Sequence, residues 1–342
     1  MVRTYSMKPK LQLGVSLVEL MVALVIGLFL IVGAVTIYTQ SRATFRTTEA
    51  VARLQETARY AFDVLEPEIR MANYWGFSNR ADYIEERAPR DVAAAPATLS
   101  AYEATIDSCG NNWVVNLDEY LGGNDDAYGG AGGLACDAYN DAPMDGSDLL
   151  VVRRVEETPT DLMTVGHVYL QTSRVRGTLF VAEDLNCLDT TDPACLPSGY
   201  APPQSRTHQL LVSAYYVAED STGREGFPSL RRKRFTAMGQ GVTDVEIVPG
   251  VEDMQLRFGV DTNGDSNVDL YIDPPGAAAV GGRIVSATVW LRIRAEEPDF
   301  TFTDTNTYQY ADMADAYAPA GAERNFRRIV TSKTIQLRNA RQ

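Results

Sequence analysis

Histidine is nearly absent from this 342-residue chain, with only His167 and His208 present. Both lie in or beside strand-like runs, and no nucleophile motif adjoins either, so a histidine-centred hydrolytic site is not expected. Structural roles are expected for both. Cysteine is sparse too. Cys109, Cys136, Cys187 and Cys195 include no C-x-x-C spacing, which excludes a zinc ribbon or a thioredoxin-like redox pair. Asp and Glu number 45, yet no spacing among them singles out a general acid and base. The glycine cluster Gly129-Gly130-Ala131-Gly132-Gly133 neither follows a strand nor opens a helix, so it does not read as a phosphate loop. No internal repeat is evident. Enzymatic activity is therefore not expected.

Positive charge is also in short supply. The net charge is −14, and setting aside Arg3, Lys8 and Lys10 of the first fourteen residues leaves −17 on the rest. Such an acidic body repels nucleic acid at long range. The basic run Arg231-Arg232-Lys233-Arg234 is the one local exception, and it reads as a solvated strand edge that discourages pairing rather than as a DNA contact.

What is present is concentrated at the start. Between Lys10 and Arg42 the only charge is Glu19, and Val15–Tyr38 is almost wholly apolar. About 22 residues at 1.5 Å each cross the roughly 30 Å hydrocarbon layer. The preceding lysines suggest an N-in orientation, which Arg42 and Arg46 on the far side weaken. An ordinary secretory signal puts its cleavage site after the apolar run. Here a basic start ends in Gly14 and the apolar run follows it. Beyond it, Phe45, Leu54, Ala58, Ala61, Leu65, Ile69 and Ala72 recur near 3.6-residue spacing with charges between them. This predicts one helix from Val15 to Tyr74, about 90 Å long, with Pro67 kinking or interrupting it.

The remainder reads as β-rich. Candidate strands are Asp148–Val155, Val165–Gln171, Leu179–Ala182, Gln209–Ala218, Val242–Val248, Met254–Val260, Val268–Ile272, Ile284–Arg294 and Ile329–Leu337. In Ile284–Arg294 the residues Val285, Ala287, Val289, Leu291 and Ile293 alternate with polar ones, predicting one buried and one partly exposed face. Residues 78–146 fit regular structure poorly, and 124–148 read as a Gly/Asp surface loop. The expected fold is α+β: a lollipop with a long N-terminal helix, half in the membrane and half amphipathic, packed on an antiparallel β-sheet head. Its segments are 1–14 as a leader, 15–38 as the transmembrane helix, 39–77 as the amphipathic continuation and 78–342 as the globular head.

If the apolar segment delivers the head across a membrane, the cysteines are expected to form disulfides. Four cysteines allow three connectivities. The sequence-local pairs Cys109–Cys136 and Cys187–Cys195 are favoured because the second closes a short Asp/Pro loop, although four buried thiols would also satisfy the composition.

Asp261, Asn263, Asp265 and Asp269 place oxygen side chains at alternate positions, as in the first half of a calcium loop. Ser266 stands where such a loop turns on glycine, and Ile272 where it carries its bidentate glutamate. Asn263-Gly264 between two apolar runs is equally a hairpin signal. Ca²⁺ is the one candidate cofactor, and none is required.

The run G-V-S-L-V-E-L-M-V-A-L from Gly14 resembles the class III signal of type IV prepilins. That resemblance implies cleavage by prepilin peptidase between Gly14 and Val15, N-methylation of Val15, and pairing of Glu19 with the N-terminal amine of a neighbouring subunit. Most pilins begin with phenylalanine where this chain has Val15. The following SRATFRTTEAVARLQETARYAFDVLEPEIRMANYWGF resembles the PilW family of minor pilins, as does VEDMQLRFGVDTNGD further on. Many relatives carry a cysteine where this chain has Phe77, so a disulfide from that position is absent. The resemblance implies a minor pilin that primes pilus assembly and joins the tip complex, with other minor pilins, the major pilin and a tip adhesin as partners. It further implies a bacterial inner-membrane protein, single-pass with a periplasmic head, that later enters the fibre at the cell surface. The alternatives are a J-type pseudopilin of a type II secretion system and a membrane-tethered periplasmic binding protein.

Overall fold

The computed structural model describes residues 14, 16–78, 80–89, 95–96, 99–103, 107–130, 132–237, 241–274 and 281–340. The chain divides into two compact units, Met1–Ala52 and Arg53–Gln342.

One helix, α1 (Leu17–Met71), supplies most of the first unit and opens the second. Its start is capped by sequence. The Glu19 N–H donates to the Ser16 hydroxyl at 3.2 Å, satisfying one of the donors a helix leaves open at its first turn. In the first unit the large apolar side chains from Leu17 to Tyr38 stand exposed. The helix is long and apolar enough there to cross a membrane, with a mean hydropathy of 2.9 and none of that window buried.

In the second unit the helix becomes one-sided. Leu54, Ala58, Ala61, Phe62, Leu65, Ile69 and Ala72 are buried, along the face that the spacing predicts. Phe45, assigned to the same face, is instead 70% exposed. Of the two effects expected at Pro67, interruption does not occur, and α1 continues to Met71. Leu65 and Ile69, both fully buried, anchor the helix on either side of that proline. The carbonyl of Asp63, which Pro67 cannot serve, lies on the exposed side. The helix stops three residues short of Tyr74 because Asn73 adopts a left-handed backbone, φ 64°. The tail then caps it, the Arg338 N–H donating to the Arg70 carbonyl at 2.8 Å.

The strands form two sheets. The first has eight: β1 (Ile84–Glu85), β2 (Leu121–Asn124), β3 (Leu149–Val155), β4 (Val168–Ser173), β5 (Gly177–Val181), β6 (Ser205–Ala218), β7 (Ser229–Ala237) and β8 (Gly241–Pro249). Their order is β1-β5-β4-β6-β3-β2, and β7 pairs with both β6 and β8. The second sheet is β10-β9-β11-β12, built from β9 (Val251–Asp261), β10 (Leu270–Ile272), β11 (Arg283–Arg294) and β12 (Arg328–Gln336). Every pairing is antiparallel except β1 with β5. The class is α+β.

The first sheet is buried on both faces, and the alternation of β3 shows how. Leu150 and Val152 join the core that holds α1 and the second sheet. Leu149, Val151 and Val155 join a second core with Trp75, Trp113, Val114, Val115 and Leu117. All of these partners but Trp75 come from the span 78–146 that lacks regular periodicity, so short elements there still cover a sheet face.

Three differences from the expected strands stand out, and two of them share one cause, the pairing of buried charge. Ser229–Ala237 is an interior strand although it holds the basic run. Arg231 and Lys233 are buried and meet Asp244 of β8 at 2.8 Å each. The polar face of β11 is covered as well. Arg292 and Arg294 lie within 3.3 and 3.6 Å of Glu252 on β9, and Arg328 of β12 meets the same carboxylate through two bonds, at 2.8 and 2.9 Å. Arg292 also stacks on Tyr317, 3.9 Å from the ring centre, which ties the excursion between β11 and β12 onto the sheet. Short β2 is the third, and it is held through a register that runs Leu121↔Val152 to Asn124↔Leu149.

Glu68 joins α1 to the first sheet, meeting Arg234 of β7 at 3.5 Å and Arg154 of β3 more closely. Arg154 donates to Glu68 at 3.0 and 3.3 Å, and both side chains are only 10% exposed. Removing Glu68 takes both short bonds from the buried Arg154 and leaves it only the more distant carboxylate of Glu157 at 3.8 Å, which costs about 3–5 kcal/mol. Glu68→Ala is expected to lower unfolding stability by that amount, and Glu68→Ala with Arg154→Met by clearly less. Denaturant unfolding of the detergent-solubilised chain measures both, and equal losses would show that the pair is not what couples helix to sheet.

Candidate assembly site

Gly14 is exposed immediately ahead of the Ser16 cap, and Glu19 is exposed in the first helical turn. Val15, the residue expected to carry the new amine, lies outside the described residues. Ser16 and Glu19 stand at the cap and third positions of an S-x-x-E capping box, a signal in the sequence that the leader pattern obscured. The first-turn carboxylate also faces the positive end of the helix dipole. Two local effects therefore favour Glu19 at this position before any neighbour is considered. Gly27 and Gly33 have open space around them in this chain, so whatever they allow in close approach lies with another helix.

The second expected site lies at the β9–β10 connection, residues 262–269. It is a hairpin, with Leu270 opposite Val260, but its loop is far longer than a two-residue Asn-Gly turn. Asp261 explains this. Its carboxylate accepts the N–H groups of Asn263, Gly264 and Ser266 at 3.1, 2.6 and 2.7 Å. Those bonds hold its pKa below the ordinary value against the opposing effect of burial. Asp269 accepts from the Thr262 N–H and hydroxyl at 2.8 Å each, and from the Asn263 side-chain amide at 3.0 Å. The Asn263 side-chain oxygen accepts the Asp265 N–H at 2.9 Å, and Asp265 accepts that of Asn267 at 2.8 Å. Ser266, at the place where glycine was missed, takes the left-handed conformation regardless, φ 66°. The four expected ligands are thus neighbours that tie the loop to itself.

The cysteines pair as Cys109–Cys136 and Cys187–Cys195. The first pair sits in the second core, where Cys109 is fully buried. The second closes a short surface loop whose turn is capped by Asp192, which accepts the Ala194 N–H at 2.9 Å.

Both histidines are engaged structurally. His167 Nδ1 lies 2.7 Å from the Gln209 side-chain nitrogen, and buried His208 places Nδ1 2.8 Å from the Glu156 carbonyl and packs edge-on against Tyr74. Neither adjoins a nucleophile. The basic run, as described above, turns its Arg231 and Lys233 inward to partners in the same sheet.

A family model described as Type IV Pilus-assembly protein W matches residues 214–339, and one described as the Prokaryotic N-terminal methylation motif matches residues 9–35. Searches of curated proteins and of solved structures find no match. The methylation motif, the capped apolar helix and the β-rich body are together the features of a type IV pilin. The two matches support a PilW-like type IV minor pilin, with residues 9–35 similar to the methylation motif and residues 214–339 to the pilus-assembly family. The PilW match covers β6 to β12 and so includes the VEDMQLRFGVDTNGD segment. The run from Ser41 to Phe77, on which the resemblance leaned most, lies outside both matches.

His208 gives this body a defined pH response. Burial holds its imidazole below the ordinary value, so the folded state favours the neutral ring. The unfolded chain protonates near about pH 6.5. The stability tied to the neutral ring is complete above that pH and is lost as pH falls through the lower folded value. The thermal midpoint is expected to drop as pH falls below about 6.5, and to drop less in His208→Gln. Equal drops in the two would assign the acid response to other groups.

Proposed function

We propose that prepilin peptidase cuts this chain between Gly14 and Val15 and methylates the Val15 amine, and that the mature subunit assembles through α1 with other pilins to prime the fibre and join its tip complex. The observation that carries this reading is Glu19, a lone carboxylate in the first turn of a helix whose apolar surface is otherwise bare. In a membrane such a carboxylate costs about 2.5–3.5 kcal/mol on insertion scales. The cationic N-terminus of a neighbouring subunit would offset that cost and set the axial register between helices. The apolar side chains would exchange lipid for sister helices, a transfer that changes their surroundings little and leaves the choice of partner to the polar pair and to the body.

Two features support placing the body outside the cytoplasm. The leader lysines precede the span, and two disulfides belong to an oxidising compartment. The match at 214–339 favours the pilus over a secretion pseudopilus.

The N-terminal mass of the protein recovered from membranes tests the processing step. A species beginning at methylated Val15 is expected, and an intact leader would leave a tethered protein instead of a pilin. For the assembly step, Glu19→Ala is expected to insert normally and to reduce surface pili at least about tenfold, the effect of losing about 1.4 kcal/mol per contact. Unchanged piliation would remove the pairing role.

A further inference from the structure

Away from α1, carboxylates from distant parts of the chain converge in the second unit. Asp125 follows β2, Asp148 precedes β3, Asp273 follows β10, and Asp312 lies in the excursion between β11 and β12. Asp125, Asp148 and Asp312 each present an oxygen, and these oxygens lie within 4.8 Å of one another. Two ligands on opposite sides of one Ca²⁺, each at about 2.3–2.6 Å, are about 5 Å apart, so the trio already fits around a single ion of that size.

The second observation concerns Asp312 alone. The residue is half-buried, but both of its carboxylate oxygens are shut off from water and have no hydrogen-bond partner in another residue among the described residues. Its charged neighbours include the carboxyl groups of Asp273 and Asp125. An ionised carboxylate in that position is costly unless a cation or proton meets it. Arg257 does not, because its guanidinium is committed to Asp273 at 2.9 Å. Among the described residues no ion pair reaches Asp125, Asp148 or Asp312.

Asp148, only 1% exposed, is positioned to act as the base of a site. Its two oxygens accept the N–H groups of Asp126 and Leu256 at 2.9 and 2.7 Å, one bond each, which fixes the carboxylate and leaves each oxygen a free lone pair.

We propose that Asp125, Asp148 and Asp312 bind a divalent cation of the hard, oxygen-preferring class, Ca²⁺ above all, and that the ion clamps the β11–β12 excursion to the β2–β3 connection. The donors are all oxygen, which disfavours softer metals. They come from irregular segments, whose flexibility suits Ca²⁺ better than the strict octahedron of Mg²⁺. This site is separate from the 261–269 loop and does not depend on pilus assembly.

The test is calorimetric titration of the full chain in detergent, stripped with chelator, against CaCl₂ and separately MgCl₂. Saturable binding of Ca²⁺ is expected, weakened at least about tenfold in Asp125→Asn and in Asp312→Asn, and unchanged in Asp265→Asn. A thermal scan separates loss of a ligand from loss of fold. In chelator, Asp312→Asn should melt no lower than the wild type, because a repelling charge has been removed. With Ca²⁺ added, only the wild type should rise. No saturable heat with either cation up to about 10 mM, tenfold above the weakest extracellular sites, would overturn the proposal. Binding that survives both substitutions would overturn it too, as would binding lost in Asp265→Asn but kept in Asp312→Asn.

Discussion

The body of this protein depends on a single apolar seam, the face of α1 from Leu54 to Ala72 laid against both sheets. That face shares a core with Leu150 and Val152 of the first sheet and with Leu256, Phe258, Val289 and Leu291 of the second. Each such side chain contributes about 1.5–3 kcal/mol by leaving water. The seam explains why the helix tolerates Pro67, a substitution that costs about 3 kcal/mol in an isolated helix. It also explains why Glu68 and Arg154 can be buried at its margin. Their pairing fixes where the helix lies along the sheet, while the apolar contacts provide the attraction.

Much of this was legible in the sequence because it is written in local periodicity. The 3.6-residue recurrence marks the buried face of α1, and strict alternation marks β9 and β11. The failures occur where a property of one segment is cancelled by another far away. Arg231 and Lys233 made β7 look like solvent-facing edge, but Asp244 neutralises both from the neighbouring strand. The alternate residues of β11 looked half exposed, but Glu252, Arg328 and Tyr317 cover them. Short β2 carries Gly122 and Gly123, which argue against a strand. Yet a Cβ at Gly123 would lie 1.8 Å from the Leu149 carbonyl oxygen, so glycine is what permits the close pairing with β3.

Sites divide along the same line. Gly14, Glu19 and the 261–269 loop are contiguous motifs, and the sequence displayed each of them. Its account of the loop was incomplete for a local reason: the side chains chosen as ligands are also the acceptors that shape the turn. Asp125, Asp148 and Asp312 carry no shared motif. Nothing along the chain joins them, and only the meeting of β2, β3 and the β11–β12 excursion makes them neighbours.

The carboxylates of this chain also separate by where their partners reside. Glu68, Asp244 and Glu252 are deeply placed, and each is answered by arginine or lysine from an adjoining strand. Asp261 and Asp269 are answered by their own loop. A fold that supplies internal partners so consistently makes its two exceptions informative. The carboxylate oxygens of Asp312 are shut off from water with no hydrogen-bond partner in another residue among the described residues, and Glu19 stands in an apolar stretch of helix with no cation before Arg42. A buried or membrane-embedded charge cannot be left unanswered at little cost. For Asp312 the missing positive charge must be small enough to sit among carboxylate oxygens that lie within 4.8 Å of one another, which points to an ion. For Glu19 it must arrive beside an exposed apolar surface and bring matching apolar surface with it, which points to another helix of the same kind.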